Sequence, residues 1–409
     1  MSNVIVIGGG AAGMMAAYSA GMCGHKVTVI EKNEKLGKKI YITGKGRCNF
    51  TNACETEDFF KNVVSNSKFL YSSLYTFSSQ QMMDFIEEHG TPIKVERGNR
   101  AFPVSDHASD ITKALFSAMK SVGVEVLLNT EVKELLVEQN SVIGVSLTDQ
   151  SNLYCDHVIL ATGGYSYQTT GSTGDGYIFA KHLNLKVTDV RPALVPLETK
   201  EKDILELQGL SLKNVSFKVF DEKKSYFEDF GEMLFTHFGI SGPLVLSASS
   251  YITKILAKKE LKAVIDLKPA LSYDKLENRV LRLVKEHPKK SILFLLKDML
   301  PSRLADLFQQ RLGISEDKTL SDLTKEERQN ILSMLKGFPL TITGTRSFKE
   351  AIVTQGGISV KEINPSTLQV KSIQGLSVCG EVIDVDALTG GFNLQIAFST
   401  GYLAGISID

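Results

Sequence analysis

Val4-Ile5-Val6-Ile7 is an unbroken apolar run of the kind that forms a strand buried on both faces, and it ends on Gly8-Gly9-Gly10-Ala11-Ala12-Gly13. Met14 to Ala20 offers the small-residue face of a helix, which ends near Gly24 before a second strand, Lys26-Val27-Thr28-Val29-Ile30. The pattern predicts a βαβ unit at the start of the chain. Farther on, Gln80 to His89 reads as a helix, and Val124–Leu128 and Ser141–Leu147 read as strands, with Glu138-Gln139-Asn140 as turn chemistry between elements. His157-Val158-Ile159-Leu160 is another apolar strand, opening onto Ala161-Thr162-Gly163-Gly164. Between Pro192 and about Asp266 the segments are short, strand-like and broken by Gly and Pro, the pattern of an antiparallel barrel or sheet. Ser272 to Lys336 is rich in Leu, Lys, Glu and Arg at helical spacing, and strands return after Pro339. Thr389-Gly390-Gly391-Phe392 enters a final helix. The class this pattern predicts is α/β, with shifts in composition near Arg191, Ser272 and Pro339.

The glycine spacing G-x-G-x-x-G carries chemistry because each glycine meets a different steric demand. Gly8 makes the tight turn, Gly10 lets a pyrophosphate approach the backbone, and Gly13 lets helix and strand pack closely. Helix amides at Ala11, Ala12 and Gly13 then face the phosphates. Glu31, with Lys32 beside it, closes the second strand 18 residues after Gly13. That matches the acid expected on the ribose hydroxyls, and its charge would repel a 2′-phosphate. The two further glycine-rich strand ends, at 161–164 and at Gly380-Glu381, fit one extended dinucleotide touched in three places better than two dinucleotides. FAD is such a ligand, with Gly391, Phe392, Asn393 and Leu394 as a helix N-terminus beside its ring.

Composition narrows the setting. A chain of 409 residues exceeds one core, so two or three domains are expected. Lys plus Arg equals Asp plus Glu at 46 each, so no net field draws the chain to nucleic acid or an anionic membrane. Five cysteines show neither C-x-x-C nor zinc-finger spacing, and no two histidines have metal-ligand spacing, so no metal is expected. Cys23, Cys155 and Cys379 lie in apolar runs and read as core. With the first residues already forming a strand and no membrane-spanning apolar run, a cytoplasmic location is expected. Oligomeric state is not legible.

Four motifs resemble a known family. They are Gly44-Lys45-Gly46-Arg47-Cys48-Asn49-Phe50-Thr51-Asn52, Thr170-Gly171-Ser172-Thr173-Gly174-Asp175-Gly176, Leu234-Phe235-Thr236-His237-Phe238-Gly239-Ile240-Ser241-Gly242-Pro243, and Gly380-Glu381-Val382-Ile383-Asp384-Val385 leading into Thr389-Gly390-Gly391-Phe392-Asn393. In these the chain resembles the bacterial YhiN-like or BaiN-like flavoproteins, which include aminoacetone oxidases, over essentially its whole length. The resemblance implies a glutathione-reductase-type FAD-binding Rossmann domain over 1–191 and 355–409, interrupted by a β-barrel-like substrate domain over 192–271 and 337–354 and a helical insert over 272–336. Gly98-Asn99-Arg100 departs from the family pattern, which places Gly next to Arg.

Lys38, Lys39, Lys45 and Arg47 crowd a glycine loop that the resemblance lays along the cofactor, where four cations would offset pyrophosphate charge. Within that motif Gly44, Gly46, Arg47, Cys48 and Asn49 are the expected cofactor contacts, and Lys35 reads as a solvated surface cation. Glu381 stands where related flavoproteins place an acid on the ribityl hydroxyls, whereas Asp384 and Asp386 read equally as turn or cap residues. Val132 matches a place where backbone groups hold adenine, and its bland alternative is core packing. A Cys48–flavin relay lacks a partner thiol, Cys54 being the only neighbour. His237, between Phe235 and Phe238, reads either as a core histidine or as a proton donor or acceptor, and Tyr167 and Tyr165 are similar candidates. Pro243 suits the first position of a helix.

The function these features imply is hydride transfer between FAD and a small organic substrate, with NAD(P)H as a diffusible donor. An amine oxidase using oxygen is the alternative. A flavin-containing nucleic-acid or protein-interaction factor has only the basic loop and the helical insert in its favour, and neutral net charge without a basic, aromatic-interleaved stripe opposes nucleic acid. An inert FAD storage protein is the last reading.

Overall fold

A computed structural model describes residues 1–409 as two compact units, Met1–Ala193 with Ser347–Asp409, and Leu194–Arg346. Each has its own hydrophobic core.

The first unit is built on a five-stranded parallel sheet in the order Leu376–Val378, His157–Leu160, Asn3–Ile7, Lys26–Ile30, Glu125–Leu127. Val4, Ile5, Val6 and Ile7 lie opposite His157, Val158, Ile159 and Leu160 on one side and Val27, Thr28, Val29 and Ile30 on the other. Both neighbours are parallel, the arrangement in which other elements cover both faces of a sheet, and Val6 is fully buried. A second, antiparallel sheet of Val132–Glu138, Ser141–Leu147 and Asn152–Tyr154 is joined through Gln139 and Asn140, both at positive φ as a tight hairpin turn demands.

Helix Ala11–Met22 packs against the C-terminal helix Phe392–Ile406 almost backbone to backbone. A Cβ on Gly401 would stand 2.3 Å from the Ala12 carbonyl oxygen, and one on Gly405 would stand 2.5 Å from that of Ala16. The pairing of 401 with 12 and 405 with 16 makes the helices run in the same direction. Ten residues of the C-terminal helix and its cap precede Gly401 but only two of the other helix and its cap precede Ala12, so the C-terminal helix begins eight residues, about 12 Å, ahead of its neighbour. Cys155 and Cys379 are buried, as their apolar surroundings predict, but Cys23 is exposed, because it caps the end of helix Ala11–Met22 rather than continuing its packed face.

His157 is a buried polar residue in this sheet, with Nε2 placed 2.8 Å from Ser377 Oγ. Burial, with a smaller effect of His25, pulls its pKa down to about 4. Folding therefore favours the neutral ring, and the unfolded chain takes up a proton that the folded one refuses once pH falls below the usual histidine value. The expected result is a loss of about 3 kcal/mol between pH 6.5 and 4. Urea melts of wild type and His157→Asn should show that extra acid slope only in wild type.

The second unit is a closed six-stranded barrel in the order Leu197–Thr199, Gly239–Ser241, Ser225–Phe235, Ser211–Phe220, Leu261–Asp266, Phe338–Thr345. Helix Pro243–Leu256 starts with its proline at the first position. Four further helices lie between Tyr273 and Lys336, three of them with a Ser or Thr side chain capping the first turn. Phe308 stacks on Phe338 at 5.4 Å, so helices and barrel share one core.

Candidate functional site

The parallel sheet brings three glycine turns and one acid to the carboxyl ends of neighbouring strands, the place where open α/β sheets bind ligands. Gly8 has φ 103° and donates its N–H to Ile30 O at 2.8 Å, and a Cβ there would stand 2.6 Å from Ala161 O. A Cβ on Gly13 would stand 1.8 Å from Gly8 O. Gly10 differs: its backbone is extended, and a Cβ there would point into open space with nothing within 4 Å. The fold does not need glycine at position 10, whereas a ligand lying against the backbone does. Helix Ala11–Met22 has no side-chain cap at this end, leaving its first amides, at Ala11, Ala12 and Gly13, to whatever lies there.

Glu31 is buried, with one oxygen accepting the Gly9 N–H at 2.8 Å and the other the Asn33 N–H at 2.9 Å. Lys32 pairs with Asp175, and Asn33 donates to Thr170 O, so the Thr170–Asp175 loop closes over the end of the second strand. Val132 begins its strand beside this end and is buried.

Glu381 anchors the next strand end. Its Oε1 accepts from Ser166 Oγ at 2.9 Å and from Thr354 N–H at 2.8 Å, and its Oε2 accepts from Lys39 Nζ at 2.6 Å. Lys39 also donates to Ser166 Oγ. Gly164 is tightly enclosed, since a Cβ would lie 2.5 Å from Thr354 Oγ1. Gly163 and Gly380 both take positive φ. Ser166 and Thr354 were not legible in the sequence as part of this network, because they lie 215 and 27 residues from Glu381. Asp386 is neither turn nor cap but fully buried, its carboxylate accepting from Gln355 Nε2, while Asp384 Oδ1 is buried without a hydrogen-bond partner.

Beyond these strand ends, Gly391 caps helix Phe392–Ile406 with φ 98°, and a Cβ there would meet Thr51 O at 2.3 Å. No side chain caps this helix and its first turn holds no acid. Asn52 Nδ2 donates to Gly390 O at 2.9 Å, and Thr51 Oγ1 donates to Gln395 Oε1 at 2.6 Å, fastening the 44–52 motif to the helix start. The Asn393 side chain is consumed within its own loop by Ala387 and Leu388, so only its backbone faces outward chemistry. Phe392 packs edge-on against Phe59, and Leu394 is partly buried.

The expected basic loop is organised differently from a row of free cations. Lys38 pairs with Glu34, and Arg47 with both Glu96 and Asp106 while its guanidinium lies 4.2 Å over the Phe102 ring. Those carboxylates already offset most of the loop's charge, with Lys45 left exposed at φ 59° and Gly44 and Gly46 at positive φ. Cys48 is fully buried at φ 59°, and burial pushes its thiol up to about 12, which opposes thiolate chemistry. Asn49 Oδ1 and Thr162 Oγ1 are buried oxygens without a hydrogen-bond partner, both in segments where a cofactor contact is expected. Orphaned oxygens of this kind fit a polar ligand that supplies the missing donors. Tyr167 is half-buried at φ 56°, Lys39 Nζ lies 5.9 Å from its ring, and burial raises its phenol pKa. His237 belongs to the other unit, on an exposed turn of the barrel with its ring edge-on to Phe238, so the core reading of this residue fails.

Comparison with known proteins accords with this geometry. The HI0933-like protein Rossmann domain family matches residues 2–407. A ribosomal RNA dihydrouridine synthase of Haemophilus influenzae is 31% identical over 100% of this chain and 98% of its own. A 3-dehydro-bile acid delta(4,6)-reductase of Clostridium scindens is 31% identical over 99% of this chain and 98% of its own. Among solved structures, a 3-ketosteroid-delta4-(5alpha)-dehydrogenase of Rhodococcus jostii aligns with TM-score 0.53 at 14% identity, covering 99% of this chain and 96% of the other, a likeness of fold. The chain belongs to the HI0933-like Rossmann family, which matches it over residues 2–407 and to which its full-length relatives correspond at 31% identity.

Proposed function

We propose that this protein binds FAD along the three strand ends and reduces a carbon–carbon double bond conjugated to a carbonyl in a small organic substrate, with NAD(P)H as diffusible donor. The observation that carries the FAD reading is the pair of uncapped helix N-termini offset by about 12 Å along the helix axis, one behind a glycine whose missing Cβ leaves open space. When bound, FAD supplies the hydride chemistry. Gly10 and the amides of Ala11 and Ala12 hold its pyrophosphate, Glu31 the adenosine ribose, Val132 the adenine, and Asn49, Thr162 and Glu381 the ribityl side. The amides at Gly391 and Phe392 stabilise negative charge at the ring.

The balance of the reaction is one hydride to the carbon β to the carbonyl and one proton to the α carbon, with NAD(P)H leaving as NAD(P)⁺. Tyr167 is the favoured proton donor, because a phenol carries its proton at neutral pH, burial raises its pKa further, and it sits in the same unit as the strand ends. His237 is the second candidate. Relatives named as a bile-acid reductase and as dihydrouridine synthases both saturate such a bond, which favours reduction over amine oxidation.

A second reading follows from the same names. Two relatives 31% identical over nearly the whole chain, from Haemophilus influenzae and Escherichia coli, are ribosomal RNA dihydrouridine synthases, and the 5,6 bond of uracil is conjugated to its carbonyl. Here the small-molecule substrate gives way to a base within RNA.

The donor is tested by anaerobic titration of the purified holoprotein with NADH and then NADPH. Loss of oxidised-flavin absorbance with either is expected. Flavin that neither nucleotide bleaches, but that small amines bleach with peroxide formed on admitting oxygen, would replace this reading with the amine oxidase.

A further inference from the structure

The equal numbers of acidic and basic residues conceal an uneven distribution in the folded barrel unit. Hairpin strands Ser211–Phe220 and Ser225–Phe235 are joined by the turn Asp221–Lys224. Lys262 lies in register opposite Phe220, and Lys259, just beyond helix Pro243–Leu256, pairs with Asp221. These contacts gather the hairpin tip, the helix end and one strand edge into a single exposed patch.

The acids of this patch are already engaged. Asp221 is held by Lys259 and by the Tyr226 hydroxyl, Glu260 by Lys200, and Glu228 by Lys218. Lys223, Lys224, Lys254, Lys258 and Lys262 are exposed and form no ion pair, and Lys224 rests over the Tyr226 ring at 4.8 Å. Lys254 and Lys258 stand four residues apart, on one side of the helix end. Five free ammonium groups therefore face Glu222 as the one unpaired acid at the tip.

We propose that this barrel-tip patch binds the phosphate backbone of RNA and delivers an RNA substrate to the protein. The proposal rests on the uracil reading above. Lysine ammonium groups act as point charges toward phosphates. The partner is a polyanion rather than a lipid surface, because the patch has no cluster of aliphatic side chains to enter a bilayer. Free lysines bind by counterion release, so affinity falls steeply with salt, and each lost phosphate contact reduces that slope by about 0.7 for single strands.

The test compares holoprotein wild type with the Lys223→Glu, Lys224→Glu, Lys258→Glu triple variant, whose unchanged flavin spectrum and melting temperature report an intact fold. Binding of fluorescein-labelled oligouridylate is followed across a potassium chloride series. Dihydrouridine formation in deproteinised bacterial ribosomal RNA and reduction of a small conjugated ketone are measured alongside. The expected result is binding at least about tenfold weaker in the variant with a shallower salt slope, and a matching fall in dihydrouridine formation with ketone reduction unchanged. Equal RNA binding and dihydrouridine formation in both proteins would overturn the patch while leaving the uracil reading standing. Wild type that reduces the ketone but neither binds nor reduces RNA would overturn the uracil reading and the patch with it. Lysine-dependent binding to phosphatidylserine vesicles with no RNA binding would replace RNA by a membrane surface.

Discussion

Gly10→Val is expected to fold normally and to lose FAD. The backbone at position 10 is extended, with φ −83° and ψ −169°, which a β-branched residue adopts without strain, and its Cβ would meet no protein atom within 4 Å. Apoprotein stability should change by no more than about 1 kcal/mol, the scale of altering a helix N-cap. The isopropyl group would occupy the open space against the turn, and FAD affinity should fall by about 100-fold or more, equivalent to about 3 kcal/mol. Gly13→Val makes the contrast, because its Cβ overlaps the Gly8 carbonyl and must deform the turn, costing stability and flavin together. The measurement is urea denaturation of apoprotein beside fluorescence titration with FAD. Wild-type affinity in Gly10→Val would remove the pyrophosphate from this turn.

Glu381→Ala carries the second large effect. The substitution leaves Lys39 without its carboxylate and Ser166 and the Thr354 amide without their acceptor, in a cluster whose charged side chains are only 20–23% exposed. Breaking a fully buried pair from one side costs roughly 3–5 kcal/mol, and partial exposure lowers the expected loss here to about 2–3 kcal/mol. Flavin retention should fail as well, since Glu381 ties together the loops after two strands. Glu381→Gln keeps an acceptor for Thr354 and is expected to lose less stability. Chemical denaturation of the three proteins checks this order, and an Ala variant within 0.5 kcal/mol of wild type would mean the cluster is not structural.

Much of the cofactor platform is legible because its determinants are local. The first strand, the glycine turn, Glu31 and the Gly391 helix start each follow from a few contiguous residues whose steric demands are absolute. The barrel likewise shows as short segments punctuated by Gly and Pro. What escapes is whatever depends on partners far along the chain. Arg47 reads as a free cation until Glu96 and Asp106 are placed beside it, and Asp386 reads as a turn residue until Gln355 buries with it. Cys23 sits in an apolar run yet lies on the exposed helix end, since hydrophobic neighbours in sequence do not share one face of a helix. His237 shows the same limit, flanked by phenylalanines but standing on an exposed turn. The barrel-tip lysines illustrate the converse: a count finds balance, and only the folded pairing shows which acids are spent.

In the proposed reaction, hydride passes to a carbon–carbon double bond conjugated to a carbonyl. Its most direct test is the oxidative half-reaction: photoreduce the holoprotein under argon, add a small conjugated ketone or uracil-containing ribosomal RNA, and follow the return of oxidised-flavin absorbance. The prediction is reoxidation without oxygen, with saturated product formed in step with the flavin. Flavin that stays reduced with both acceptors and recovers only on admitting air, with peroxide formed, would contradict it.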